Sequence, residues 1–130
     1  MPRPRDAWFL SVAIALFLSG CAAKQPGNGR VGHVVICWLK EPGNAEARRN
    51  IIVASKSFGD IPGVVNVHAG NALPSQRRIV DDSFDVAIVI TFASEQAMRA
   101  YLDHPTHKNA VERVIRPLVR KIVVYDFTMR

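Results

Sequence analysis

The hydrophobic pattern divides the chain into a short apolar leader and a longer segment in which strand-like and helix-like periods alternate. Trp8 to Leu18 is apolar at every position except Ser11. Beyond Gly32, His33 to Leu39 (HVVICWL) is apolar almost throughout and predicts a strand covered on both faces. Pro42-Gly43 interrupts it. Ala47, Ile51, Ala54 and Phe58 then recur at spacings of three and four, predicting a helix over 44–58 that buries those four residues. Ile61-Pro62-Gly63 reads as a turn. Val64 to Ala69 reads as a second strand, stopped by Gly70-Asn71. After a loop over 72–82, Phe84, Val86, Ile88, Ile90 and Phe92 alternate with Asp85, Ala87, Val89 and Thr91, the signature of a third strand. Ser94 is a candidate N-cap for a helix from Glu95 to about Leu102, with Met98 and Leu102 inward. Pro105 predicts a break near His104, Lys108 to Arg116 a further turn or two, and Pro117 its end. Val119 to Thr128 is the last strand.

The order β-α-β-β-α-β predicts an α+β fold of the ferredoxin-like, split βαβ kind. Its four strands form one antiparallel sheet with both helices on one face. His33 to Leu39 and Ile122 to Tyr125 are nevertheless apolar on both sides. A sheet face of that character calls for a cover, and the expected cover is a second copy, closing a dimeric α/β barrel. The competing reading is a monomer with an exposed apolar sheet.

The leader changes the domain count. Arg3 and Arg5 precede the apolar run, which is shorter than the roughly 20 residues a membrane-spanning helix needs. Leu18-Ser19-Gly20-Cys21 resembles the lipobox of bacterial lipoproteins. That resemblance implies cleavage before Cys21, lipid on its thiol and, with Ala22 and not aspartate following, the outer membrane facing the periplasm. The expected organisation is a signal peptide over 1–20, a lipidated cysteine and tether over 21–32, and one domain over 33–130. Loss of Arg3, Arg5 and Asp6 with the leader lowers the formal charge from +6 to +5. The two cysteines then make no pair, because Cys21 carries lipid and Cys37 sits in an apolar strand.

Composition excludes several functions. The positive charge is dispersed and not interleaved with aromatics, so a nucleic-acid partner is not expected. Gly59 to Gly70 has no basic residue to hold a phosphate, so no nucleotide cofactor is expected. Ser94 is better used as a cap than as a nucleophile. His104 and His107 are three apart and, with Asp126, form a candidate metal set, but Pro105 breaks the helix that would align them, and the expectation is no metal. His68 has no supporting pattern. Arg77 and Arg78 read as a solvated loop, with contact to an anionic ligand as the alternative.

The residues left for chemistry are His33, Tyr101, His104, His107 and Asp126. Antiparallel pairing of the first and last strands would bring His33 beside Asp126, where a carboxylate fixes an imidazole's tautomer and raises its basicity. Each also has a structural reading: His33 as a strand-entry residue, Tyr101 as core, His104-Pro105 as a helix terminator, His107 as a packing residue at the break. Asp126, a carboxylate in an apolar strand, needs a partner under either reading.

His33-Val34-Val35, Pro62-Gly63-Val64, Asp85 to Ser94, Tyr101-x-x-His104-Pro105-x-His107 and Val124-Tyr125-Asp126-Phe127, in that order, resemble the stress-responsive α/β-barrel (Dabb) family. The resemblance runs from His33 to about Arg130 and implies a dimeric ferredoxin-like barrel. A plant polyketide cyclase of that family has functional residues matching His33, Tyr101, His107 and Asp126. The implied roles are His107 as base, Asp126 orienting it, and Tyr101 and His33 contacting substrate oxygens. Two functions are thus expected as alternatives. The first is an envelope-anchored protein binding a small apolar or aromatic ligand through His33, Tyr101, His104 and His107, without cofactor. The second is a cofactor-free acid/base enzyme resembling that cyclase or a small monooxygenase.

Overall fold

The first strand, β1 (Val31–Leu39), runs through the centre of the sheet and holds the fold together. The structure, a computed structural model, describes residues 29–130; the predicted signal peptide, Cys21 and most of the tether lie outside them. After β1 come α1 (Ala45–Lys56), a 3₁₀ turn (Ser57–Asp60), β2 (Val64–Asn71) and β3 (Val86–Phe92). α2 (Glu95–Asp103), α3 (Pro105–Ala110), a π-helical turn (Val111–Ile115), α4 (Arg116–Leu118) and β4 (Val119–Thr128) complete the chain. The sheet order is β2-β3-β1-β4 with every neighbouring pair antiparallel. The predicted α+β, ferredoxin-like architecture is therefore the one observed.

The two faces of the sheet differ as alternation requires. His33, Val35 and Cys37 of β1 lie beside Ile90, Ile88 and Val86 of β3 and face the helices. Cys37, Val86, Ile88 and Ile90 join Leu39, Ile51, Phe58, Phe92, Tyr101 and Ile115 in the core, with Val35 packed against it. Val34, Ile36, Val89, Val123, Tyr125 and Phe127 face the other way, where no element of the described residues covers them. Tyr125 is 60% and Val89 37% exposed.

Several boundaries differ from the predicted ones, each for a local reason. β1 begins at Val31, inside the predicted tether, because Val31 pairs with both Phe92 and Thr128. Gly32 permits this: a Cβ there would lie 2.3 Å from the Phe127 ring, which covers it. In α1 the inward residues are Ala47, Ile51 and Ser55, not Ala54, since burial follows the i, i+4 row. Ser55 satisfies its hydroxyl by donating to the Ile51 carbonyl at 2.7 Å. β2 continues through Gly70 and Asn71, which pair with Ala87 and Val86. β3 starts at Val86, because Phe84 turns to Trp38 and Asp85 turns inward. In α2 the buried side chain is Tyr101, while Leu102 is 40% exposed. Pro117 does not end the last helix but lies within α4. The π turn precedes it, with the Arg116 N–H donating to the Val111 carbonyl. β4 spans the predicted residues.

The caps behave as the side chains dictate. The carbonyl oxygen of Asn44's amide accepts from Ala47 N–H at 2.9 Å and Ser94 Oγ from Ala97 N–H at 3.1 Å, each opening a helix. Asp85 is the one buried carboxylate among the described residues. Its two oxygens accept from the Leu39 and Gly43 N–H groups at 2.9 and 2.8 Å, tying the β1–α1 connection to the start of β3. Asp85→Ala leaves two backbone donors without their acceptor, so a loss of about 2–4 kcal/mol is expected in chemical denaturation. A loss under about 1 kcal/mol would show that this clamp does not hold the turn.

Candidate functional site

β1 and β4 pair in a register that sets His33 directly opposite Asp126. His33 is buried and points to the helix side, where an unpaired ring nitrogen would be costly. Its Nδ1 donates to Asp126 Oδ1 at 2.5 Å. A carboxylate only accepts, so the proton sits on Nδ1 and, in the neutral ring, Nε2 carries the lone pair. Asp126 is half-exposed at the edge strand, so the pair joins the interior to solvent.

Tyr101 reaches the same region from α2. Its ring is packed by Phe92 at 4.9 Å, Phe58 at 5.5 Å, His107 at 4.4 Å and His33 at 6.1 Å between centroids. Burial pushes its phenol well above the ordinary range, so it remains a neutral donor. No described residue hydrogen-bonds to its hydroxyl. Among the described residues no fully buried side-chain polar atom lacks a partner.

His107 stands one turn into the helix that restarts at Pro105. Its Nδ1 donates to the Leu102 carbonyl at 3.2 Å, which leaves Nε2 as a free lone pair in the neutral ring. Burial holds its pKa below the usual histidine range, the Leu102 bond opposes that, and the His33 and Lys108 charges add to the lowering.

These groups border one cavity of about 210 Å³ between the sheet and the α2–α3 arm. His33, Tyr101 and His107 supply the polar groups, and Val35, Ile88, Val111, Ile115, Ile122 and Val124 are among the hydrocarbon walls. The cavity owes its existence to the exposed side of β4, because the helices stop short of Ile122 and Val124. Leu102, expected in the core, lies at its rim. The π turn contributes Val111 and Ile115; π-helical turns recur at functional sites.

Of the five predicted polar residues, His33, Tyr101 and His107 line the cavity. Asp126 joins through His33 only. The expectation that Asp126 orients His107 is corrected here: the register commits the carboxylate to His33, and a backbone carbonyl orients His107. His104 does not line the cavity. It closes α2 in an extended conformation, and its Nδ1 accepts from the Thr106 N–H at 3.2 Å to open α3, so its predicted ligand contact gives way to a capping role. Among the described residues no group of three or more His, Cys, Asp and Glu side chains is placed to hold a metal ion. Cys37 is in the core, its thiol pushed up to about 11 by burial. Asp85 escaped the sequence reading as a special residue; a carboxylate inside an alternating strand was the available signal.

The description of the stress responsive A/B barrel domain, Dabb, matches residues 31–129. The chain belongs to the Dabb family. A Dabb family protein with a ferredoxin-like fold from Mesorhizobium loti superposes with a TM-score of 0.64 at 25% identity, over 78% of this chain and 98% of its own. A dimeric ferredoxin-like protein from Thermobifida fusca gives 0.64 at 23% identity, over 78% and 92%. A hydroxynitrile lyase from Passiflora edulis gives 0.66 at 22% identity, over 79% and 95%, a likeness of fold alone. No curated protein matches the sequence significantly.

The Dabb cavity carries a pH signature. Because burial lowers the His107 pKa, the unfolded chain takes up the proton more readily than the folded one. Its stability contribution is therefore complete above about pH 6.5 and declines as pH falls below it. Imidazole nitrogen NMR should show His107 as the Nδ1–H tautomer, titrating below about 6.5. His107→Gln should flatten the acid side of the stability profile. A proton on Nε2 in the neutral ring would remove His107 as the cavity's base.

Proposed function

We propose that this Dabb protein binds a small, mainly apolar or aromatic molecule in the His33–Tyr101–His107 cavity. The supporting observation is the composition of the walls: hydrocarbon nearly throughout, with three polar groups converging from β1, α2 and α3. An apolar cavity of about 150 Å³ admits benzene. The 210 Å³ here suits one substituted ring or a short branched chain with an oxygen to meet the Tyr101 hydroxyl. Val111→Trp, which fills the cavity, should reduce binding of a substituted phenol by at least about tenfold in calorimetry while the fold persists. Unchanged affinity would place the ligand elsewhere.

A second reading is favoured by the His107 tautomer. A neutral imidazole with a free Nε2, a phenol that stays protonated, and a carboxylate-backed imidazole opposite form an acid/base set that needs no cofactor. His107 would take a proton from an activated carbon or oxygen while Tyr101 donates to the developing oxyanion. Substrates of this class are small enolisable carbonyl compounds, β-polyketones among them. His107→Ala should lower turnover of such compounds by 10²-fold or more, a general-base magnitude; unchanged rates would eliminate the mechanism.

The protein is further proposed to be a homodimer anchored in the cell envelope by lipid on Cys21. The uncovered face bearing Val34, Val89, Tyr125 and Phe127 supports the first part, as does the dimeric state of the Thermobifida fusca neighbour. The Leu18-to-Cys21 sequence supports the second. No helix among the described residues is long and apolar enough to cross a membrane. Val89→Asp should give a folded monomer by light scattering, since Val89 faces outward. Val35→Asp should unfold the domain, since Val35 packs against the core. A Val89→Asp protein that stays dimeric would move the interface elsewhere. Cys21→Ser should release the protein from the membrane fraction.

A further inference from the structure

A second, larger cleft lies on the outer side of the helical layer and contains no histidine. Arg49 and Val53 of α1 form one wall; Arg113 and Val114 of the π turn, with Pro117 and Leu118 of α4, form the other. Its volume is about 550 Å³. Val53 is 58% exposed, so the hydrocarbon lining meets solvent. Among the described residues neither Arg49 nor Arg113 takes part in an ion pair, Glu46 and Glu112 of the same segments included. Arg48 and Lys56 border an adjoining depression on the far side of Val53, and extend the positive field.

The arrangement selects for a molecule with two unlike ends. A soluble anion has no use for Val53, Val114 and Leu118, and a neutral hydrocarbon has none for two guanidinium groups. Guanidinium groups match carboxylate and phosphate oxygens in a bidentate fork. We propose that this cleft binds a single-chain anionic amphiphile, its alkyl chain along Val53, Val114 and Leu118 and its carboxylate or phosphate between Arg49 and Arg113. The amphiphile is free in solution and not part of a bilayer. In the sheet-to-sheet dimer proposed above, on which this point rests, the two helical layers would point in opposite directions, so a flat membrane could meet only one of the two clefts. The π turn is a wall common to both sites, giving Val111 and Ile115 to the histidine cavity and Arg113 and Val114 to this cleft.

The test is arginine footprinting of the full chain with phenylglyoxal, read by mass spectrometry, so that binding is located and not merely detected. Dodecanoate below its micelle concentration should slow modification of Arg49 and Arg113 by about fivefold at roughly four times its Kd. Arg77 and Arg78, on the β2–β3 loop, should be unaffected. Dodecanol, the same chain without the charge, should protect at least about tenfold less well at equal concentration. Arg113→Glu, an exposed substitution that leaves the core intact, should abolish protection at Arg49. Uniform protection of all four arginines, equal protection by the alcohol, or protection by anionic vesicles alone would each overturn the proposal. No protection at Arg49 in the wild-type chain would overturn it outright.

Discussion

The pairing of β1 with β4 is the constraint on which the remaining structure depends. It adds the fourth strand and sets the partner of every inward residue of β1. It also places Asp126 opposite His33, the one position in that strand where a polar ring faces the core. A register slip of one residue would turn Ile122 and Val124 away from the cavity and leave His33 without its carboxylate. The bulge between Trp38 and Leu39 lets Val119 pair with Leu39 at the end of the ladder. That irregularity lies beyond the functional pair and leaves its register undisturbed.

The site follows from an incomplete layer. α1 and α2 pack over β2 and β3, but β4 lies past their reach, so the helix-facing side of an edge strand becomes a cavity wall. Tyr101 closes the inner end by filling the space among Phe58, Phe92 and the two imidazoles. Burial keeps its phenol neutral and keeps His107 basic only weakly. The same desolvation therefore prepares a donor and an acceptor at opposite sides of one ring stack. The pairing of Asp126 with His33 separates the two histidines into different roles: one backed by a carboxylate open to solvent, the other held by a backbone carbonyl.

Two helix irregularities extend this economy. The break at His104 spends a histidine on capping, because Pro105 starts a new helix whose N–H groups need an acceptor. The π turn ahead of Pro117 supplies residues to two separate concavities, one containing the histidines and one flanked by Arg49 and Arg113. Neither consequence is visible in the hydrophobic pattern of the segment, where Val111, Val114, Ile115 and Leu118 resemble any amphipathic face.

Much of the fold was written locally. Alternation in Val86 to Phe92, the cap at Ser94, and the proline near His104 depend on neighbours within a few residues, so the sequence alone determined four strands, their order of occurrence and the helices between them. It also singled out His33 and Asp126, because polar groups in apolar strands must find each other. Other features needed the tertiary structure, because they depend on distances between segments far apart in the chain. Tyr101 and not Leu102 went inward, since the rotation of α2 is settled by packing against Phe58 and Phe92. Asp126 went to His33 and not His107, since strand register and not side-chain chemistry chose its partner. Asp85 became a backbone clamp because the β1–α1 turn brought it two N–H groups. Local periodicity specifies which residues want burial; only the assembled sheet and helices decide which of them touch.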